Sequence, residues 1–226
     1  MNNVETVKCN GSDQLQQVFC YITSKCNAKC IMCYMGEQYD KCGHVPINVI
    51  AERLLRYRNR GAHKVTFLGG EPTIHPQIKE IICITKEIGF EYVRVTTNGM
   101  FRPDLLKTPE FSLVNTIAFS VDGYTQELNN ALRVNTDLST ILNNMKLARD
   151  LGFDVRVNST VTSLNIDKVE DLIGLVIKNG TRQVNLNIVF LEGSAENKDD
   201  LGITQEQWFN TYHQLLELQK KVNIEI

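Results

Sequence analysis

Apolar positions along the chain follow two rhythms that take turns from one end to the other. Short runs rich in Val, Ile and Phe occur at 18–22, 64–68, 91–96, 116–121, 154–161 and 182–190, and each reads as a strand. Between them, apolar residues recur at helical spacing. Val49, Ile50, Leu54 and Leu55 mark a helix over 47–60, ended by Gly61. Ile78, Ile81, Ile82, Ile84 and Ile88 mark another, opened by His75-Pro76 and closed by Gly89. A short helix is expected over 103–107, with longer ones over 139–150, 166–178 and 204–221. Thr204-Gln205-Glu206-Gln207 has the pattern of a capping box for the last of these. Residues 222–226 alternate again, as a further strand would begin.

Strands alternating with helices imply parallel strands joined by right-handed crossovers. A doubly wound sheet and a barrel both have this element order. The unusual residues favour the barrel, because each polar or glycine cluster falls just past a strand's C-terminal end, where barrel enzymes build their sites. The expected fold is an α/β, partial (β/α)6 TIM-like barrel, one domain over 16–226 behind a polar segment, 1–15. Six strands leave such a barrel open. Val222, Ile224 and Ile226 then have nothing beyond them to pack on, which predicts self-association there and room for a large substrate.

Composition narrows the class. At 226 residues the chain can bury one sizeable core, and 42% hydrophobic with 22% charged residues speaks against disorder. A net charge of −2 with no basic block speaks against a nucleic-acid surface. No apolar run reaches membrane-spanning length and residues 1–11 lack the apolar stretch of a signal peptide, so a cytoplasmic protein is expected. In that compartment the seven cysteines are not expected to form disulfides, and a cluster of them points to metal. Cys20 and Cys83 fall in strand and helix patterns and read as core residues; Cys9 and Cys42 read as accessible free thiols.

The cluster is Cys26-Asn27-Ala28-Lys29-Cys30-Ile31-Met32-Cys33, three thiols at C-x3-C-x2-C directly after the first strand. Thiolates select zinc or iron–sulfur clusters. A zinc site needs a fourth ligand, with Cys42 or His44 nearest in sequence. A cubane held by three cysteines instead leaves one iron open. Further polar groups follow the next strands: Gly69-Gly70-Glu71-Pro72, Thr96-Thr97-Asn98-Gly99 and Ser120-Val121-Asp122-Gly123. The glycine pair allows a close backbone approach by a ligand, and Glu71 can accept from an ammonium group.

Cysteine spacing and later motifs together resemble the radical S-adenosylmethionine (SAM) superfamily, from about Val18 to Gly193. The resemblance implies a [4Fe–4S] cluster on Cys26, Cys30 and Cys33 whose open iron is chelated by the amino and carboxylate groups of SAM. It implies reductive cleavage of SAM to a 5′-deoxyadenosyl radical that abstracts hydrogen from substrate. The residue before the third cysteine is usually aromatic in that family and is Met32 here; methionine can pack against the adenine. Gly69, Gly70 and Glu71 match the motif that receives the amino group of SAM. Thr96, Asn98, Ser120 and Asp122 match strand-end residues that bond its ribose and carboxylate, and Arg133 can pair with that carboxylate. Asn158 is expected beside the ribose, and Leu191 where the family cradles adenine by backbone contacts.

Within the family the chain looks closest to the SPASM-type, peptide-modifying branch. No cysteine follows Cys83, so that branch's auxiliary-cluster domain is not encoded here, and the chain is either cut short near Ile226 or a minimal form. Expected partners are SAM, an electron donor such as flavodoxin or ferredoxin, and a peptide or macromolecular substrate. The rival readings are a zinc-binding module and an electron-transfer iron–sulfur protein. Both leave Gly69-Gly70-Glu71 without a purpose.

Overall fold

The computed structural model describes residues 15–36, 41–181 and 183–226, so Cys9 and most of the polar segment 1–15 lie outside the described residues. Six parallel strands form one curled sheet: β1 (Gln17–Tyr21), β2 (Lys64–Leu68), β3 (Tyr92–Thr97), β4 (Thr116–Ser120), β5 (Asp154–Val161) and β6 (Val184–Ile188). Their order in the sheet is their order in the chain, as in an opened barrel. The fold is a half-barrel of one domain.

Alternation along each strand makes the two faces different. Val65 and Phe67, Val93 and Val95, Ile117 and Phe119, and Val157 and Val161 point outward and are buried. Over them lie α1 (Ile47–Asn59), α2 (Ile78–Glu87), α4 (Leu138–Asp150) and α5 (Val169–Lys178), through Ile50 and Leu54, Ile81 and Ile82, Ile141 and Met145, and Leu172 and Ile173. Each such large side chain contributes about 1.5–3 kcal/mol by leaving water. The dry core thus sits on the convex side, and the concave side is left for polar residues.

Thr204 and Gln207 form the expected capping box at the start of α6 (Gln205–Lys221), each side chain accepting from the other's backbone N–H. Besides short 3-10 turns, two elements that bear on the site were not expected. One is α3 (Gln126–Leu132), capped by Thr125. The other is a two-residue ribbon pairing Lys29–Cys30 with Arg133–Val134. Two expectations are corrected. The end of the chain does not stand bare: the Val184 N–H donates to the Glu225 carbonyl (2.9 Å), Ile224 is 8% exposed, and Val222 and Ile226 pack on the main core. Cys20 is a core residue, but Cys83 is only half-buried, because its helix turns that side partly toward solvent.

Candidate functional site

The cysteine loop is held on three sides. On one side Thr23 to Lys25 lie against the turn after β2. Gly70 N–H donates to the Thr23 carbonyl and Glu71 N–H to the Lys25 carbonyl, both at 2.8 Å. A Cβ at Gly69 would meet the Thr23 oxygen at 2.4 Å, and one at Gly70 the Lys25 oxygen at 2.2 Å. The space left by the glycine pair is therefore filled by the chain itself, where the sequence suggested a ligand. On the second side the ribbon joins Cys30 to Arg133, and Ile31 N–H donates to the Leu132 carbonyl (3.0 Å). On the third, the Cys33 carbonyl accepts from Gly36 (3.1 Å) and Ser194 (2.8 Å). Gly193 makes that contact possible, with φ at +64° and no Cβ to strike the Cys33 oxygen.

Cys26, Cys30 and Cys33 line one cavity at the strand ends. Burial pushes the Cys26 thiol up to about 11, opposed by the Ala28 N–H. Burial also raises Cys30, against the pull of the Arg133 guanidinium, whose Nη1 lies 3.5 Å from the sulfur. Arg133 is itself held by Asp122, Nε to Oδ2 at 2.5 Å, with the carboxylate fully buried. Burial disfavours the Arg133 cation, but Asp122 and the nearby thiols outweigh it and keep it charged. The other Asp122 oxygen accepts from Thr160 N–H (2.7 Å), and Asn129 Oδ1 accepts from the Asp122 N–H (3.1 Å).

Glu71 is buried and heavily engaged. Oε1 accepts from Thr73 N–H (3.0 Å), Thr73 Oγ1 (2.6 Å) and Thr97 Oγ1 (2.7 Å), and Oε2 accepts from Asn98 N–H (2.7 Å). Burial raises its pKa while these four donors oppose the rise. Only Oε2 keeps clear acceptor capacity. Asn98 ties the turn to the cysteine loop, its Nδ2 lying 2.7 Å from Asn27 Oδ1 and 3.7 Å from Cys26 Sγ.

A family model, the radical SAM superfamily, matches residues 20–194. The chain belongs to that superfamily. It is 25% identical over 210 residues to the GTP 3′,8-cyclase of Limosilactobacillus fermentum, covering 88% of this chain and 60% of that protein. It is 31% identical over 158 residues to the GTP 3′,8-cyclase of Aquifex aeolicus, covering 67% of this chain and 49% of that protein. The fold superposes on Streptococcus suis SuiB bound to its precursor peptide SuiA, with a TM-score of 0.73 and 19% identity over 95% of this chain and 48% of SuiB. At that identity the likeness concerns the fold alone. The chain thus spans about half of the length of these relatives.

Radical SAM proteins use a [4Fe–4S] cluster and SAM, and the donor set fits. Among the described residues no three His, Cys, Asp or Glu side chains converge as a single-ion site. Zinc gathers its thiolates within about 2.3 Å of one point, whereas a multi-iron cluster holds them around a wider body. Neither fourth zinc ligand suggested by the sequence lines the cavity: Cys42 is exposed, and His44 Nδ1 sits 3.0 Å from Thr23 Oγ1.

Of the residues expected at SAM, Met32, Gly69, Gly70, Glu71, Thr96, Asn98, Ser120 and Arg133 line the cavity with the cysteines. Asp122, Asn158 and Leu191 do not. Asp122 is turned inward to Arg133 and Thr160. Asn158 lies one pleat below the strand end, where its Oδ1 accepts from Asn185 (2.9 Å). Leu191 stands half-exposed on the loop that braces Cys33. Thr160 takes the lining place expected of Asn158, and period-two alternation points to it two residues nearer the strand end. Tyr34 and Leu68 also line the cavity without a motif to announce them.

Proposed function

We propose that the chain is the catalytic core, over 16–226, of a radical SAM enzyme that abstracts hydrogen from a substrate held on the concave face of the half-barrel. One observation carries this reading: three cysteines share a cavity with three hydroxyls that have no partner among the described residues. Thr96, Ser120 and Thr160 line it, and their side chains make no hydrogen bond among the described residues. When bound, the cluster and SAM supply a carbon radical strong enough to take hydrogen from an unactivated position. Cys26, Cys30 and Cys33 hold the cluster. The hydroxyls orient the ribose and carboxylate of SAM, Glu71 Oε2 accepts from its amino group, and Met32 packs at the adenine. Arg133 keeps positive charge beside Cys30, and the surrounding apolar wall excludes water.

A flavodoxin- or ferredoxin-type donor supplies the electron. The cytoplasm suits cysteines that form no disulfide among the described residues, and among those residues no helix is long and apolar enough to cross a membrane. Two relatives act on GTP by name and SuiB is bound to a peptide. For this chain a small phosphorylated substrate is the better-supported reading, on the charge of the concave face described next.

The test is incubation of anaerobically reconstituted protein with SAM and dithionite, followed by mass spectrometry for 5′-deoxyadenosine. Production is expected, with none from Cys26→Ala, Cys30→Ala or Cys33→Ala. Stoichiometric zinc released by Cys42→Ala would overturn the proposal.

A further inference from the structure

Below the cavity, the concave face carries charge that the cluster and SAM do not use. Strand register fixes which residues share that face. Thr66, Arg94, Thr116 and Asp154 lie in one row across β2 to β5, two residues beneath the level of Thr96. Lys64 on β2 and Arg156 on β5 have the same facing. Among the strand residues turned this way, three cations, Lys64, Arg94 and Arg156, face one carboxylate, Asp154. The strand residues of the concave face thus carry two positive charges in excess on a chain whose net charge is −2, with one further carboxylate, Glu225, bridged to Gln183 at the β6 edge.

Asp154 does not neutralise Arg94. Its Oδ2 accepts from Arg156 Nε (2.8 Å) and from Thr116 Oγ1 (2.7 Å), and it lies two strands away, about 10 Å across the sheet. Arg94 Nε is buried with no hydrogen-bond partner, and the guanidinium makes no ion pair among the described residues. A half-buried guanidinium of this kind costs free energy unless an anion meets it. In the same row as Arg94, on β1, Phe19 is 61% exposed, and Tyr21 one pleat higher is 42% exposed. Tyr21 packs edge-to-face on Tyr34, with ring centroids 6.2 Å apart, and the exposed Phe19 ring beside it can stack a planar ring.

We propose that this lower tier is an anion subsite centred on Arg94, which takes the phosphate end of a phosphorylated small-molecule substrate whose planar ring lies toward Phe19 and Tyr21. Arg94 sits about 7 Å below Thr96 along the strand, so a molecule anchored there reaches the cavity with its middle portion. A fork of N–H donors matches phosphate, and three spread cations suit a polyphosphate better than the single carboxylate of a peptide. The placing of the reacting end rests on the radical reading above; the anion site stands on the surroundings of Arg94 alone.

Calorimetry of the reconstituted 226-residue protein with SAM tests it, using inorganic tripolyphosphate as the probe. Saturable binding is expected, weakened at least about tenfold in Arg94→Ala, partly restored in Arg94→Lys, and unchanged in Arg102→Ala at an exposed arginine elsewhere. Arg94→Lys keeps the result decisive if the alanine variant does not fold. Equal affinity in wild type, Arg94→Ala and Arg94→Lys overturns the proposal. So does absence of binding to the wild type, or capture only of a short peptide ending in a free carboxylate. 5′-Deoxyadenosine is measured on the same samples. Arg94-dependent binding without deoxyadenosine sinks the radical reading and leaves the anion site, and deoxyadenosine without such binding does the reverse.

Discussion

Two sets of polar groups meet at the strand ends, and they are spent differently. After β2 and β3, Glu71, Thr97 and Asn98 bond one another and brace the cysteine loop, and after β4 Asp122 holds Arg133 against Cys30. A few ångströms away, the hydroxyls of Thr96, Ser120 and Thr160 face the cavity with no partner in the described chain. The first set builds the socket. The second is what the socket offers to a ligand. The more conspicuous motif, Gly-Gly-Glu-Pro, belongs mostly to the first set, so the sequence feature that stands out most is architectural before it is ligand-binding.

The comparison breaks most sharply at Asp122. Asp122→Ala leaves Arg133 as an uncompensated charge with only 12% of its side chain exposed. Removing one partner of such a buried pair costs about 3–5 kcal/mol. For a chain of this size that lowers the thermal midpoint by about 2–4 °C per kcal/mol. Adding Arg133→Met to Asp122→Ala should recover much of the loss, because no charge is then stranded. A single Asp122→Ala variant as stable as wild type would show that the pair does not hold the ribbon.

Gly70→Ala comes next. Its new Cβ would lie 2.2 Å from the Lys25 oxygen, so the backbone just before Cys26 must shift. Overpacking of this kind costs about 1–3 kcal/mol. The larger consequence is chemical: iron retained after anaerobic reconstitution should fall well below one cluster per chain. Gly174→Ala, on α5 with open space around its Cβ, is the control and should keep full iron and equal or better stability. Full iron in Gly70→Ala would return the glycine pair to the ligand.

Much of this was legible in the sequence because burial imposes period. The strands at 64–68 and 154–161 have the bounds their apolar runs suggest, since their outward faces must all reach the helices. The three cysteines were legible because chemistry demands that residue at that spacing. What the sequence hid was pairing at a distance. The ribbon that brings Arg133 to Cys30 spans over a hundred residues and is two residues long, too short to carry a pattern. Helix α3 is mostly polar, Gln126, Glu127, Asn129 and Asn130, with Leu128 and Leu132 its large apolar residues, and its boundary is set by the Thr125 cap. Asp122 reads as a ligand contact in a strand-end motif, and only its burial beside Arg133 reveals the structural role.

The smallest effects should come from the uncommitted hydroxyls, and their pattern is the sharpest statement of the comparison. Thr96→Val, Ser120→Ala and Thr160→Val remove groups that bond nothing in the described chain, so each should change unfolding free energy by no more than about 0.5 kcal/mol. Cluster content should stay full. If these hydroxyls bond SAM, each loss costs about 0.5–1.5 kcal/mol of affinity, roughly a two- to tenfold rise in the calorimetric Kd. Thr97 also borders the cavity, but its hydroxyl is committed, so Thr97→Val is the contrast within the same strand. Its hydroxyl donates to buried Glu71 at 2.7 Å, so its removal should lower stability by about 1–3 kcal/mol with little direct effect on SAM once the protein is folded. Neighbouring threonines on opposite faces of β3 would then respond in opposite columns, one in binding and one in folding. Equal responses from Thr96→Val and Thr97→Val in both measurements would mean that socket and ligand surface are not separable at this strand end.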